Sequence, residues 1–134
     1  MRVFLDANVL FSASNVGSNI AQLVDWLLAE STAVTSDLAR EEARRNLAMK
    51  REDWLAAFEQ LMQKVEEVPS ALFDLPVNLD EKDRPLLCAA IRATCTHFAT
   101  GDRQDFGHLF GKTVEQVQVV DLLGLAKLLA AKDT

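Results

Sequence analysis

Four carboxylates spread along the chain are the residues whose type and setting could do chemistry. Asp6 interrupts an otherwise apolar run, VFLDANVLF at residues 3–11, in company with one amide, Asn8. Glu42, Asp83 and Asp102 follow at wide spacing. A charge in a segment built for burial is costly unless it is paired or serves a ligand. Acids crowded together repel and raise one another's pKa, so a cluster of them calls for a cation. Hard oxygen donors of this kind suit Mg²⁺ or Mn²⁺, with waters completing an octahedral shell.

Whether these acids meet depends on the elements that carry them. Residues 2–6 are β-rich and apolar on both sides of the pleat, as a central parallel strand covered on two faces requires, and Asp6 falls at the carboxyl end. After a polar break at residues 15–19, Ile20, Leu23, Val24, Leu27 and Leu28 recur at helical spacing behind Ser18, a good cap. Residues 32–35 read as a strand, and Ser36 or Asp37 caps a helix reaching about Met49. At about 100° per residue, Ala39, Ala43 and Leu47 form the buried stripe of that helix. Glu42 lies at the border of the stripe, able to face inward, with Glu41 on the far side.

Residues 53–64 predict a further helix and 65–68 a strand, followed by an irregular connection over 69–76. Pro85 is tolerated only in the first turn of a helix, so the next one begins near Asp83. Residues 97–100 and 117–120 read as strands, with Asp102 just past the first of them, and 121–131 as a closing helix despite Gly124. Strands alternating with helices imply a mainly parallel sheet of about five strands, covered on both faces, with ligands expected beyond the strands' carboxyl ends. The four acids would then converge at one edge of the sheet.

A chain of 134 residues, 49% hydrophobic, suits one domain spanning residues 1–134 that buries its own core. Its apolar runs break far short of the roughly 20 residues that cross a bilayer, and Met1-Arg2 leads into a strand-like segment rather than a secretion signal. The expectation is a cytoplasmic protein without membrane contact. Cys88 and Cys95 read as small buried thiols on one face of a helix, without the spacing of a zinc site. A net charge of -6 argues against a broad basic grip on nucleic acid. It leaves room for a nucleic-acid substrate met at an acidic cleft, where bound divalent cations reverse the local field.

In register along the chain, the sequence resembles the four acidic motifs of the PIN-domain nucleases: VFLDANVLFSA at residues 3–13, TSDLAREEARRNL at 35–47, DEKDRPLLCAAI at 80–91 and HFATGDRQDF at 97–106. The resemblance extends from Val3 to the final strand and helix. It implies an α/β fold, a three-layer α/β/α sandwich with a central, mainly parallel sheet, and a Mg²⁺- or Mn²⁺-dependent nuclease. Such an enzyme hydrolyses RNA or single-stranded nucleic acid, leaving 5′-phosphate and 3′-hydroxyl ends, and needs no catalytic His, Cys or Ser.

Carried over position by position, the family's catalytic and metal-binding acids fall on Asp6, Glu42, Asp83 and Asp102, and Asp105 matches a further metal-binding acid found in some members. Asn8 and Thr100 match the polar and hydroxyl residues that support the ligands from behind. Asp80 competes with Asp83 for the third position, and Pro85 stands where many relatives carry an ordinary helix former. Many PIN proteins of this length resemble the toxins of toxin-antitoxin pairs, so an antitoxin protein is the implied partner, and a homodimer the expected assembly.

The same residues admit other readings. Arg40, Arg44, Arg45, Lys50, Arg51, Arg84 and Arg103 could meet substrate phosphates without reading bases. His97 and His108 could run metal-free ribonuclease chemistry, but one falls in a strand and the other in a polar loop. Trp54 and Phe58, at helical spacing, read as core or dimer interface before a base-stacking platform. Transfer of phosphate to aspartate wants Asp-x-Asp after the first strand, and Asn8 occupies the second position. A PIN-like binding or scaffold module with a silent site is the remaining alternative.

Overall fold

The computed structural model describes residues 1–132. The chain runs β1 (Arg2–Leu5), α1 (Ala7–Ala13), α2 (Asn19–Glu30), β2 (Thr32–Ser36), α3 (Asp37–Lys50), α4 (Leu55–Met62), β3 (Glu66–Val68), α5 (Arg84–Arg92), β4 (His97–Ala99), α6 (Arg103–Phe106), β5 (Thr113–Val114), β6 (Val117–Val120) and α7 (Leu122–Lys132). Short 3-10 turns cover Glu52–Trp54 and Gly107–Leu109.

The sheet order is β3-β2-β1-β4-β6-β5, and every pairing is parallel except β5 with β6. From β1 the chain steps outward through β2 to β3, then crosses back with α5 to β4 on the other side of β1. Right-handed crossovers in opposite directions place their helices on opposite faces. Accordingly α1 packs on α2, α3 and α4, and α2 packs on α7, while α5 lies against β2 and β4. The α/β/α sandwich expected from the sequence is therefore the observed architecture. The reversal between β1 and β4 is a topological switch point, where the carboxyl ends of strands leave a crevice for ligands.

Burial explains why β1 is central. Val3, Phe4 and Leu5 are fully buried, as two-sided cover demands. The Phe4 ring stacks on Phe98 of β4 at 5.2 Å, and Phe98 contacts Phe106 at 4.9 Å, so one aromatic row ties the two strands to α6. On α3 the buried positions are Ala39, Ala43 and Leu47, the stripe read from the sequence. Ser36 caps this helix by accepting from the Ala39 N–H, Ser18 caps α2 through the Ala21 N–H, and Pro85 sits in the first turn of α5.

Several expectations are corrected. The sheet has six strands, because β5 folds back on β6 through a two-residue turn at Glu115-Gln116. Glu115 there adopts a left-handed φ of 55° without the glycine or asparagine that would have marked the hairpin. Residues 7–13, assigned to no element from the sequence, form a helix. Cys95 does not share a helix face with Cys88: α5 ends at Arg92, Thr94 turns the chain at φ 57°, and Cys95 lies in the connection to β4. Both thiols are nevertheless buried and free. Phe58 is wholly core, and Trp54 packs edge-on against Phe11 with Arg51 over its ring, so neither forms a stacking platform. Among the described residues, no helix is long and apolar enough to cross a membrane.

Candidate metal centre

The crevice is built outward from Asp6. Where β1 ends, Asp6 becomes the N-cap of α1, its Oδ1 accepting the Ala7 N–H at 2.8 Å. Its Oδ2 accepts the Thr100 hydroxyl at 2.8 Å and the Asn8 amide at 3.0 Å. The backbone is pinned as well, the Asp6 N–H donating to the Ala99 carbonyl at the end of β4. Asp6 is 4% exposed. Burial pushes its pKa up to about 6, against the pull of the Thr100 and Ala7 hydrogen bonds, and the nearby Glu42 carboxylate adds to the rise.

Asn8 and Thr100 hold more than Asp6. Asn8 Oδ1 accepts the Gly101 N–H at 2.8 Å, and the Thr100 hydroxyl accepts the Asp102 N–H at 3.1 Å. A Cβ on Gly101 would lie 3.3 Å from Asn8 Oδ1, so the close approach of the two segments favours glycine. Asp102 caps α6 by accepting the Asp105 N–H at 3.0 Å. Asn8, Ser12, Glu42, Asn46, Gly101 and Asp102 share the lining of a cleft of about 610 Å³.

Asp83 approaches from the other side. It stands at the start of α5 but makes no capping hydrogen bond. The carboxyl is buried instead, 6% exposed, and its Oδ2 meets no hydrogen-bond donor. Its neighbour is the Asp105 carboxyl, with which it can hydrogen-bond only by sharing a proton. Burial, that contact and the charges of Asp105 and Asp6 push the Asp83 pKa up to about 7, although Lys82 opposes them. Asp105 is kept below the usual carboxylate range by Lys82, whose Nζ lies 2.9 Å from Asp105 Oδ2.

Among the described residues, the acids that each offer one oxygen within 4.8 Å of the others are Asp80, Asp83 and Asp105. Of the four acids expected to converge, Asp6 neighbours both Glu42 and Asp83, and Glu42 and Asp102 line one cleft, but the tightest triad is this one. Asp80, the rival to Asp83 for the third position, stands with it. The Asp83 and Arg84 N–H groups both donate to the Asp80 carbonyl, and that turn puts the two side chains on one side. The fit to a hard divalent cation is good. A buried carboxylate oxygen without a donor, beside two further carboxylates, is the environment that such an ion compensates.

The arginines expected to meet phosphate are mostly engaged. Arg40 pairs with Glu67, Arg44 holds Glu59 at 2.9 and 3.1 Å, and Arg51 holds Asp53 at 3.2 and 2.9 Å. Arg84 donates to the Leu79 carbonyl, and Arg103 lies 3.6 Å from Asp121. Arg45 and Lys50 are exposed on α3. The cation that does sit among the acids, Lys82, was passed over in the sequence. Its position inside Asp-Glu-Lys-Asp was the available signal.

No protein-family model matches the sequence, and no curated protein does. Solved structures do match by shape. A chain of VapBC2 from Rickettsia felis, solved bound to a DNA fragment from their promoter, aligns with a TM-score of 0.66 at 12% identity, over 90% of this chain and 98% of that one. VapBC-1 from nontypeable Haemophilus influenzae gives 0.59 at 17% identity over 92% and 99%. Mycobacterium tuberculosis VapC20, a Sarcin-Ricin loop cleaving toxin, gives 0.57 at 13% over 84% and 98%. The chain therefore has the fold of these VapBC and VapC20 structures, and its resemblance to the PIN-domain family, read from four short motifs, holds at the level of the fold.

Proposed function

We propose that this chain is a single-domain, Mg²⁺- or Mn²⁺-dependent endoribonuclease of the PIN type and serves as the toxin of a cytoplasmic toxin-antitoxin pair. The substrate is RNA or single-stranded nucleic acid, an antitoxin protein is its regulator, and the working form is a homodimer. The observation that carries this reading is the buried Asp6 at the switch point of the sheet, which feels the charge of Glu42 and whose own charge is felt by Asp83, carboxylates from two other segments.

Asp6, Glu42, Asp83, Asp102 and Asp105 would hold the metal. When bound, the ion supplies an acidified water and neutralises charge on the phosphate. The protein's own share is positioning. Thr100 and Asn8 lock the Asp6 carboxylate in one orientation and tie it to the loop carrying Asp102. Asp83 is buried with one oxygen that no donor occupies, and that oxygen would face the ion.

The test is incubation of the purified protein with varied RNAs in Mn²⁺, Mg²⁺ or EDTA, with Asp6→Asn and Asp102→Asn as controls. Cleavage that requires the metal and both carboxylates supports the proposal. Cleavage that persists in EDTA or in both variants overturns it.

A further inference from the structure

The nuclease reading leaves Lys82, a cation set in the acidic crevice, without a task. Its ammonium lies 2.9 Å from Asp105 Oδ2 and within the field of Asp83 and Asp102. Asp80, Asp83 and Asp105 bring three carboxylates within 4.8 Å of one another, and the Asp83 oxygen there is buried without a donor. One ammonium answers only part of that charge. It pairs with Asp105 and leaves the Asp83 oxygen unserved.

We propose that Lys82 is a built-in competitor for the divalent ion, a tethered cation that the metal must displace from Asp105 in order to load. The inference rests on the metal-nuclease reading above and deepens it. Lys82 suits displacement: its side chain is 65% exposed, and a lysine ammonium is a strongly hydrated charge on a flexible stem. Being next to Asp83 in sequence, it returns whenever the ion leaves. Its presence therefore weakens metal binding and keeps the ion-free site electrically quiet.

The experiment is calorimetric titration of Mn²⁺ into the full chain and into Lys82→Met, Lys82→Arg and Asp83→Asn, with thermal melts in parallel. Removing the competing charge tightens Mn²⁺ binding in Lys82→Met by roughly fivefold, the scale of an exposed ion pair together with relief of direct repulsion. Lys82→Arg, which keeps the charge, stays within about twofold of the parent by the same reasoning. Without Mn²⁺ the Lys82→Met variant melts lower than the parent, and Mn²⁺ raises its melting point by more.

An unchanged or weakened Mn²⁺ affinity in Lys82→Met, or an equal gain in Lys82→Arg, overturns the competitor role and leaves the metal site standing. If no form binds Mn²⁺ more tightly than Asp83→Asn, both the competitor role and the metal reading fall.

Discussion

Replacing Asp83 by asparagine should make the metal-free protein more stable while destroying its response to metal. The Asp83 carboxyl is buried and its pKa is pushed up from 3.8 to about 7. Its folded-state value lies above its unfolded one, so its contribution to stability is fully present below the unfolded value and is lost as pH rises through about 7. At pH 8 the carboxylate is charged in both states, and the rise from 3.8 to about 7 sets an upper bound of about 4 kcal/mol on its penalty. Asparagine removes the charge, keeps the shape and can donate to Asp105. Because part of the rise is shared with Asp105, the expected gain at pH 8 is on the order of 1–2 kcal/mol, a melting point higher by roughly 5 °C for a chain of this size.

The assay is thermal melting of parent and variant in EDTA from pH 5 to pH 8.5, repeated at pH 8 with millimolar Mn²⁺. The difference between the two proteins should be largest at pH 8 and shrink as pH falls. Comparing the pair cancels the groups that do not touch Asp83, whereas Asp6 and Asp105 feel the loss of its charge. Asp6, pushed up to about 6, changes stability in the same sense, and the half-buried His97, held below its usual value by burial, changes it in the opposite sense. Mn²⁺ should stabilise only the parent. An Asp83→Asn protein that melts lower than the parent at pH 8 in EDTA would refute the reasoning, since Asp83 would then be a structural partner and not a strained ligand.

Two further expectations come from the same geometry. Thr100→Val removes the hydroxyl that donates to Asp6 and accepts from the Asp102 N–H, so RNA cleavage should drop about 10–100-fold. Melts in EDTA should show a loss of about 1–3 kcal/mol for the orphaned groups; an unaltered cleavage rate would show that Thr100 does not position the site. Phe98→Ala opens the centre of the aromatic row between Phe4 and Phe106 and should cost about 3–5 kcal/mol in denaturant unfolding, with a loss under 1 kcal/mol arguing against that row as the core's hinge.

What the sequence revealed follows from physics that acts locally. The β1 strand and Asp6 at its end were legible because a run buried on both faces has a distinctive composition. Helical periodicity put Glu42 at the border of the Ala39 and Ala43 stripe, where it stays exposed on the cleft it shares with Asp102, and Pro85 located the start of α5. Helix α1 was missed because Asp6 does two jobs, ending the strand and capping the helix in one residue. The β5 hairpin was missed because Glu115 takes a left-handed conformation that its residue type does not announce.

The grouping of Asp80, Asp83 and Asp105 around Lys82 was out of reach for a different reason. A local turn brings Asp80 beside Asp83, but only the return of the chain through β4 brings Asp105 to both. Pair contacts of that kind leave no periodic trace in a single chain.

The central claim is that carboxylates from separate segments meet at the carboxyl edge of the sheet to hold a hard cation. Anomalous scattering from crystals grown with Mn²⁺ tests it most directly. A manganese peak in the crevice between Asp6 and Asp83, absent from Asp83→Asn crystals, is the predicted result. A crevice without a peak, or one in which Lys82 still holds Asp105 at saturating Mn²⁺ and no ion touches Asp6 or Asp83, would contradict the account.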